Sequence, residues 1–451
     1  RQFDVAGPRY TSYPTADRFV DTFGSEDQAD VLRRRSSRAG GARSPLSLYV
    51  HIPFCESLCY YCACNKVVTR HREQANTYLN HISKELDLLG REVSGRPTVS
   101  QVHLGGGTPT FLTDSELARL MRMLDRHFIL VAGVERAVEI DPRTIDVTRL
   151  DALAAMGFNR LSFGVQDFDP SVQQAVHRIQ PRQKVIELVD AARTRGFESL
   201  NVDLIYGLPR QTTDSIKKTM SEVIGMRPDR VALYAYAHLP QRFKPQRRIS
   251  NEELPSASSK VKMLALAMRA FLDAGYVYIG MDHFALPTDA LAVAKRQGRL
   301  HRNFQGYSTQ PDCDLIGLGV SAIGRVGSSY SQNAKELDLY YRMLDQQLLP
   351  VVRGMRLSRD DLIRRSVIMA LMCQGDIYFD TIEETYLIDF ASYFEKELLE
   401  LTSLEDCGLL RIHRRSLEVT EQGWFFVRAV AMVFDRYLAS SRSREQFSKI
   451  L

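Results

Sequence analysis

Six apolar runs of strand length recur through the first half of the chain, each followed by a stretch with helical periodicity, and this alternation restricts the fold more than any other feature. The first run, Leu46–Ile52, feeds into Pro53 and Phe54. After it Ala75, Leu79, Ile82, Leu86 and Leu89 repeat at spacings of four and three, the stripe of an amphipathic helix that Gly90 is placed to end. A strand near residues 101–104 and a helix carrying Leu117, Leu120, Met121 and Leu124 come next. Further strands follow near 137–140, 160–164, 199–205 and 230–236, with helices between them. Strands that alternate with helices pair in parallel through right-handed crossovers, and six such units in series curl towards a barrel. The expected fold is therefore α/β, a partial (β/α)6 TIM-type barrel with extensions. Its functional groups should gather at the carboxyl ends of the strands.

At 451 residues the chain exceeds one average domain. Residues 256–274 read as another helix, whereas 276–281 and 303–307 read as an irregular extension. Near Pro350 the pattern changes. Ser358 and Asp361 stand at capping-box spacing and open a helix through residue 371, and a later helix ends near Gly408. Residues 409–412 and 417–420 flank a turn at 414–416 as a short hairpin before a last helix. The expected division is an N-terminal segment, 1–45, covering the active site, a catalytic domain, 46–350, and a smaller, mainly helical C-terminal domain, 351–451. Helix-plus-hairpin order also occurs in winged-helix DNA binders, but no basic reading helix accompanies it here. The one loop-like tract is SSRAGGARSP, 36–45.

A hydrophobic content of 44% with 25% charged residues is that of an ordinary globular protein. The net charge of +5 is modest and dispersed, which argues against a nucleic-acid partner and accords better with an acidic small molecule. No apolar stretch approaches the roughly 20 residues of a membrane span, and RQFDVAGPRYTSYPT lacks a hydrophobic signal. A cytoplasmic protein without a membrane partner is expected.

Of seven cysteines, four fall in the segment Cys55-Glu-Ser-Leu-Cys59-Tyr-Tyr-Cys62-Ala-Cys64. Such crowding is a poor plan for disulfides. Thiolate is the ligand that iron-sulfur clusters prefer, and three cysteines on one loop can hold three irons of a cubane while leaving the fourth open. A structural zinc site brings four ligands in two separated pairs, and Cys313, Cys373 and Cys407 supply no second pair.

The spacing C-x3-C-x2-C, with an aromatic before the third cysteine, resembles the signature of the radical S-adenosylmethionine superfamily. Nearly the whole chain resembles the bacterial oxygen-independent coproporphyrinogen III oxidases, through PRYTSYPT at 8–15, YVHIPFC at 49–55, HLGGGTPT at 103–110, DLIYGLP at 203–209, GMDHF at 280–284 and HRNFQGY at 301–307. The resemblance implies that Cys55, Cys59 and Cys62 ligate a [4Fe-4S] cluster whose open iron is chelated by S-adenosylmethionine. Cys64 would be a non-ligand, either a thiol buried beside the loop or one that maintains activity.

The glycine run after the second strand reads alone as an ordinary tight turn; by resemblance Gly106, Gly107 and Thr108 bind the methionyl end of the cofactor. Glu139, on its own a candidate ion-pair partner, contacts the first S-adenosylmethionine by the same matching, with Tyr49 and Ile323. Tyr61, Gln166, Arg178, Asp203 and Ala237 then surround a second S-adenosylmethionine. The family usually has Phe at position 61, so the Tyr61 hydroxyl needs a partner. Phe304 and Gln305 match the substrate-site segment, although a loop anchor is an equal reading, and Arg9, Tyr10 and Tyr13 are placed to cover the pocket, Arg9 as a propionate partner. The implied activity is oxidative decarboxylation of the ring A and B propionates of coproporphyrinogen III to vinyl groups in haem biosynthesis. It implies an electron donor such as flavodoxin or ferredoxin, a final electron acceptor of unknown identity, and a monomer.

Overall fold

The computed structural model describes residues 6–37, 44–310 and 312–438; part of the 36–45 tract and the start of the N-terminal segment lie outside them. Six strands, β1 (Leu46–Ile52), β2 (Thr98–Gly106), β3 (Ile129–Ile140), β4 (Arg160–Gln166), β5 (Ser199–Tyr206) and β6 (Arg230–Ala235), pair in parallel, each with the next. Helices precede, separate and follow them: α1 (Ser25–Ser37), α2 (Glu73–Glu92), α3 (Asp114–His127), α4 (Val147–Ala155), α5 (Pro170–Ala175), α6 (Arg182–Thr194), α7 (Thr213–Met226) and α8 (Ala257–Asp273). The helix expected to end at Gly90 runs on to Glu92, because the Val93 N–H still closes on the Leu89 carbonyl and glycine accepts the helical conformation without breaking it.

The alternation along each strand explains what lies on either face. Leu48, Val50, Val102, Leu104, Val138, Leu161, Phe163, Leu200, Val202, Val231 and Leu233 are buried against the helices in one apolar core. Their neighbours in sequence point the other way, into a polar interior. At its base Ser47 donates to Gln101 (2.8 Å), Gln101 to Glu135 (2.9 Å), and Arg160 pairs with Glu135 (3.0 Å). Asp289 pairs with Arg230 (2.9 Å) and accepts from Ser199 (3.1 Å). These bonded charges floor the interior and leave the strands' carboxyl ends open above it.

The sheet is larger than the alternation predicts. A hairpin of β7 (Val277–Gly280) and β8 (His283–Ala285) extends one edge. On the other, β9 (Leu315–Leu318) pairs in parallel with β1, followed by antiparallel β10 (Ile323–Val326), β11 (Ser329–Asn333) and β12 (Val351–Arg356). The order β12-β11-β10-β9-β1-β2-β3-β4-β5-β6-β8-β7 leaves both ends unjoined. These added strands are only three to six residues long, too short to carry a clear period; ladder bonds to a formed neighbour place them. The last of them runs past the boundary expected at residue 350. Residues 303–307, read as irregular, lie in a small hairpin of His301–Asn303 with Gly306–Ser308.

A second core joins the helix Arg359–Gln374, opened by the Ser358–Asp361 capping box, to residues of the sheet edge and the N-terminal segment, including Ile279, Ala285, Tyr10 and Tyr13. The hairpin Leu410–Ile412 with Ser416–Val419 acquires a third strand, Asp376–Tyr378. Tyr10 donates to Asp435 (2.9 Å) and Arg428 to the Pro8 carbonyl (3.0 Å), fastening the N-terminal segment to the C-terminal part. Among the described residues no helix is long and apolar enough to cross a membrane.

One buried carboxyl away from the interior bears on stability. Glu85 of α2 accepts from the Tyr340 hydroxyl (2.6 Å), the Gly319 N–H (2.8 Å) and the Asn333 amide (2.7 Å), yet burial pushes its pKa up to about 7. A folded-state pKa above the ordinary carboxyl value stabilises below that value and ceases to do so as pH rises through about 7. Relative to Glu85→Gln, the wild type is expected to lose about 3 kcal/mol of unfolding free energy between pH 4.5 and 7.5, measured by urea denaturation. Parallel pH profiles for the two proteins would contradict this.

Candidate active site

β1 ends at Ile52, and the chain continues through Pro53 into the strand Phe54–Cys55, which pairs in parallel with Val67–Val68 and so pins both ends of the cysteine loop. The β2 exit packs directly beneath it: the Gly107 N–H donates to the Ile52 carbonyl and the Thr108 N–H to the Phe54 carbonyl, both at 2.8 Å. A Cβ on Gly107 would lie 2.6 Å from the Pro53 oxygen and 2.8 Å from the Phe54 oxygen. Gly106 has φ +120°, and a Cβ there would meet the Ile52 oxygen at 2.9 Å. Backbone alone can occupy this cradle. Thr108 Oγ1 stands 3.5 Å from the Cys55 sulfur.

The three thiols experience different fields. Burial pushes Cys55 up to about 11, against the Thr108 hydrogen bond. The neighbouring Cys64 thiol and the Lys66 ammonium hold Cys62 below the ordinary thiol range. Cys59 is buried and accepts from two guanidiniums, Arg143 Nη2 at 3.4 Å and Arg178 Nη1 at 3.5 Å. Asp141 orients both, taking Arg143 at 2.6 Å and Arg178 at 3.1 Å. Burial raises the Asp141 pKa, but the two arginines outweigh it and hold the carboxyl below its usual value.

Around the interior, side chains two residues apart on successive strands converge. Tyr49 bonds His51 (3.1 Å) on β1 and stacks on His103 of β2, with centroids 5.8 Å apart. His103 reaches one oxygen of Glu139 (3.2 Å), and the Gly106 N–H donates to the other (3.2 Å). Gly105 keeps this contact open, since a Cβ there would lie 2.8 Å from the Glu139 carboxylate. Burial holds His51 below its ordinary pKa, and its Nε2 bonds the Asn65 carbonyl of the cysteine loop (2.9 Å). Burial also raises Asp203, to about 6, with the Glu139 charge adding and the hydrogen bonds from Ser162 and Asn201 (both 2.9 Å) opposing.

Two adjoining cavities result. One, of about 410 Å³, is lined by Cys55, Cys59, Cys62, Tyr61, Gly106, Gly107, Thr108, Gln166, Arg178 and Asp203. The other, of about 390 Å³, is lined by Tyr49, Phe304, Gln305 and Ile323, and Glu139, Gly106 and Tyr234 border both. Ala237 lines neither; it lies two residues beyond the end of β6. Tyr61 packs against the small apolar cluster that contains Val172, Val176, Leu208 and Tyr236, and the Arg178 charge partly offsets the burial that drives its hydroxyl pKa well up. Phe304 meets Tyr330 edge-on at 5.9 Å. Both polar atoms of the Gln305 amide are buried without a partner, which leaves them free for a ligand. Arg9 is paired with Asp282 (2.6 Å) and lies over the Tyr234 ring.

His51, His103, Gly105, Asp141 and Arg143 were not singled out from the sequence. The first four were within reach of a period-two argument: each lies two residues from an assigned or quoted strand position and therefore shares its face. Arg143 carries no such signal, since it follows the strand and reaches Cys59 by a turn.

No three His, Cys, Asp or Glu side chains among the described residues are grouped as the ligands of a single ion. The thiols instead border a cavity beside a glycine cradle, an arrangement suited to a larger sulfur-ligated group with a small molecule against it.

Comparison with known proteins agrees with this geometry. The model of the Radical SAM superfamily matches residues 49–223, and that of the HemN C-terminal domain matches 357–426. The oxygen-independent coproporphyrinogen III oxidase of Pseudomonas aeruginosa is 47% identical over 453 residues, covering 100% of this chain and 97% of the relative. That of Escherichia coli is 45% identical, again covering 100% and 97%. A solved structure described as coproporphyrinogen III oxidase (HemN) from Escherichia coli, a radical SAM enzyme, superposes with a TM-score of 0.91 at 44% identity, covering 96% of this chain and 100% of that one.

Proposed function

Since the chain belongs to the oxygen-independent coproporphyrinogen III oxidase family of radical S-adenosylmethionine enzymes, we propose that it converts the ring A and B propionates of coproporphyrinogen III to vinyl groups, giving protoporphyrinogen IX. The observation that carries this reading is the pair of adjoining cavities, one bordered by Cys55, Cys59 and Cys62 and the other by an unpartnered Gln305 amide. When bound, a [4Fe-4S] cluster and S-adenosylmethionine supply a 5′-deoxyadenosyl radical able to take hydrogen from an unactivated propionate carbon.

The protein's part is to position and shield. Cys55, Cys59 and Cys62 hold the cluster. Gly106, Gly107 and Thr108 present backbone to the methionyl end of the first cofactor, and Tyr49, Glu139 and Ile323 contact the remainder. Tyr61, Gln166, Arg178, Asp203 and Ala237 serve a second S-adenosylmethionine, with Arg178 matched to a carboxylate and Asp203 to polar hydrogens. Phe304 and Gln305 face the substrate. We take residues 46–350, together with the edge strand β12, as the catalytic part, the remainder towards 451 as a mainly helical part, and the N-terminal segment, 1–45, as a cover, for which the Arg9–Asp282 pair beside Tyr234 is the support. The reading further takes the protein as a cytoplasmic monomer that draws electrons from a carrier such as flavodoxin or ferredoxin and returns them to an acceptor of unassigned identity.

Anaerobic assay of the reconstituted protein with reductant and S-adenosylmethionine should yield 5′-deoxyadenosine and the vinyl product. Haem binding with neither product would refute the reading. Because Asp203 is held near 6, the ionised form suited to a cationic cofactor is lost below that pH. Cofactor affinity should fall roughly tenfold per pH unit below about 6. Asp203→Asn should bind weakly and without that slope, as anaerobic equilibrium dialysis would show.

A further inference from the structure

The outer face of the cysteine loop is built for a charged visitor. After β6 the chain runs Arg242-Phe243-Lys244-Pro245-Gln246-Arg247-Arg248, four cations in seven residues with no acid among them. The whole chain carries a net charge of only +5, so this is a concentration and not a share of a general excess. Among the described residues Lys244, Arg247 and Arg248 pair with no carboxylate; Arg247 donates to the Pro240 carbonyl (3.0 Å), and the nearby Glu253 is taken by Arg210 (2.7 Å). Solvated cations on a surface ordinarily need no explanation. Their attachment here does.

The segment is tied to the loop that bears the thiols. Gln246, 1% exposed, donates to the Tyr61 carbonyl (3.1 Å), and Arg248 donates to the Tyr60 hydroxyl (3.2 Å) with its guanidinium 5.2 Å from the ring centroid. His177 stacks on the same ring at 5.1 Å. Tyr60 directly follows Cys59, so this surface is one residue from a thiol of the cavity. Ile179, two residues on from His177, is 68% exposed. Positive charge also continues past the loop's far end, where Asn65 donates to the Lys335 carbonyl and Lys335 feels Arg353 and Arg242, with Glu336 the acid near it.

We propose that this face, centred on Tyr60 and rimmed by residues 242–248, is the docking site of an acidic one-electron carrier protein that reduces the cluster. The inference rests on the function proposed above. The carrier is oxidised by one electron and the cluster reduced by one; no bond or proton changes hands. Electron-transfer encounters are small, brief and steered by charge, and a compact basic rim around one aromatic ring meets that need.

The test uses the full chain with its cluster reconstituted and a bacterial flavodoxin as the probe. Lys244→Glu with Arg247→Glu should raise the flavodoxin Kd about tenfold, the effect of reversing two rim charges. The concentration giving half-maximal 5′-deoxyadenosine formation with reduced flavodoxin should rise in parallel. Wild-type affinity should weaken as salt rises, more steeply than that of the variant. Rates with dithionite and the visible absorption should not change. Equal flavodoxin affinity in both proteins, or a wild-type affinity indifferent to salt, would overturn the docking site. Failure of the wild type to form 5′-deoxyadenosine with dithionite would instead bring down the functional reading on which it rests.

Discussion

Serine in place of Cys55, Cys59 or Cys62 is expected to leave the chain folded while removing the broad visible absorption of a reconstituted cluster and reducing 5′-deoxyadenosine formation to background. All three sulfurs border one cavity, and a serine hydroxyl, protonated at neutral pH and harder than thiolate, is a poor ligand for iron-sulfur centres. The Cys59 variant loses more than a ligand, because Arg143 and Arg178 lose the sulfur they both approach. Cys64→Ser should retain the absorption, since the three-ligand assignment leaves Cys64 outside the set that holds the cluster. Iron and sulfide content with circular dichroism separates loss of the cluster from loss of the fold. Equal loss in all four variants would sink the three-ligand assignment.

Gly107→Ala tests the cradle and should be nearly as damaging. The added methyl would stand 2.6 Å from one carbonyl oxygen and 2.8 Å from another, and both belong to backbone that leads into Cys55. Neither can rotate away as a side chain would, so the loop must shift. Overpacking of this kind costs about 1–3 kcal/mol, which a chain of this size can bear. The displaced loop cannot then hold its thiols in register, and activity should fall about 100-fold, the effect of a misplacement near 1 Å. Gly95→Ala is the control: its φ of 72° brings a backbone strain that Gly107 does not have, but nothing lies within 4 Å of its Cβ. Its cost should appear in stability without loss of iron.

The parallel strands were legible because their buried residues alternate with polar ones and helices of clear periodicity separate them. The added edge strands were not. Ile323–Val326 and Ser329–Asn333 present glycine and polar residues that read as loop, and they become strands only because β9 offers a ladder to pair with.

What the sequence determined by itself is the chemistry at each strand end: three thiols at fixed spacing after β1, glycines after β2, a carboxylate at the end of β3, an Asp within β5. Those depend on residue type and on near neighbours, which the chain order contains. Only the tertiary structure decided that Arg143 and Arg178 converge on Cys59, that Asp141 holds them there, and that Arg248 lies over Tyr60. Such contacts join residues far apart in sequence, and long flexible side chains leave no periodic trace of where their charged ends will meet.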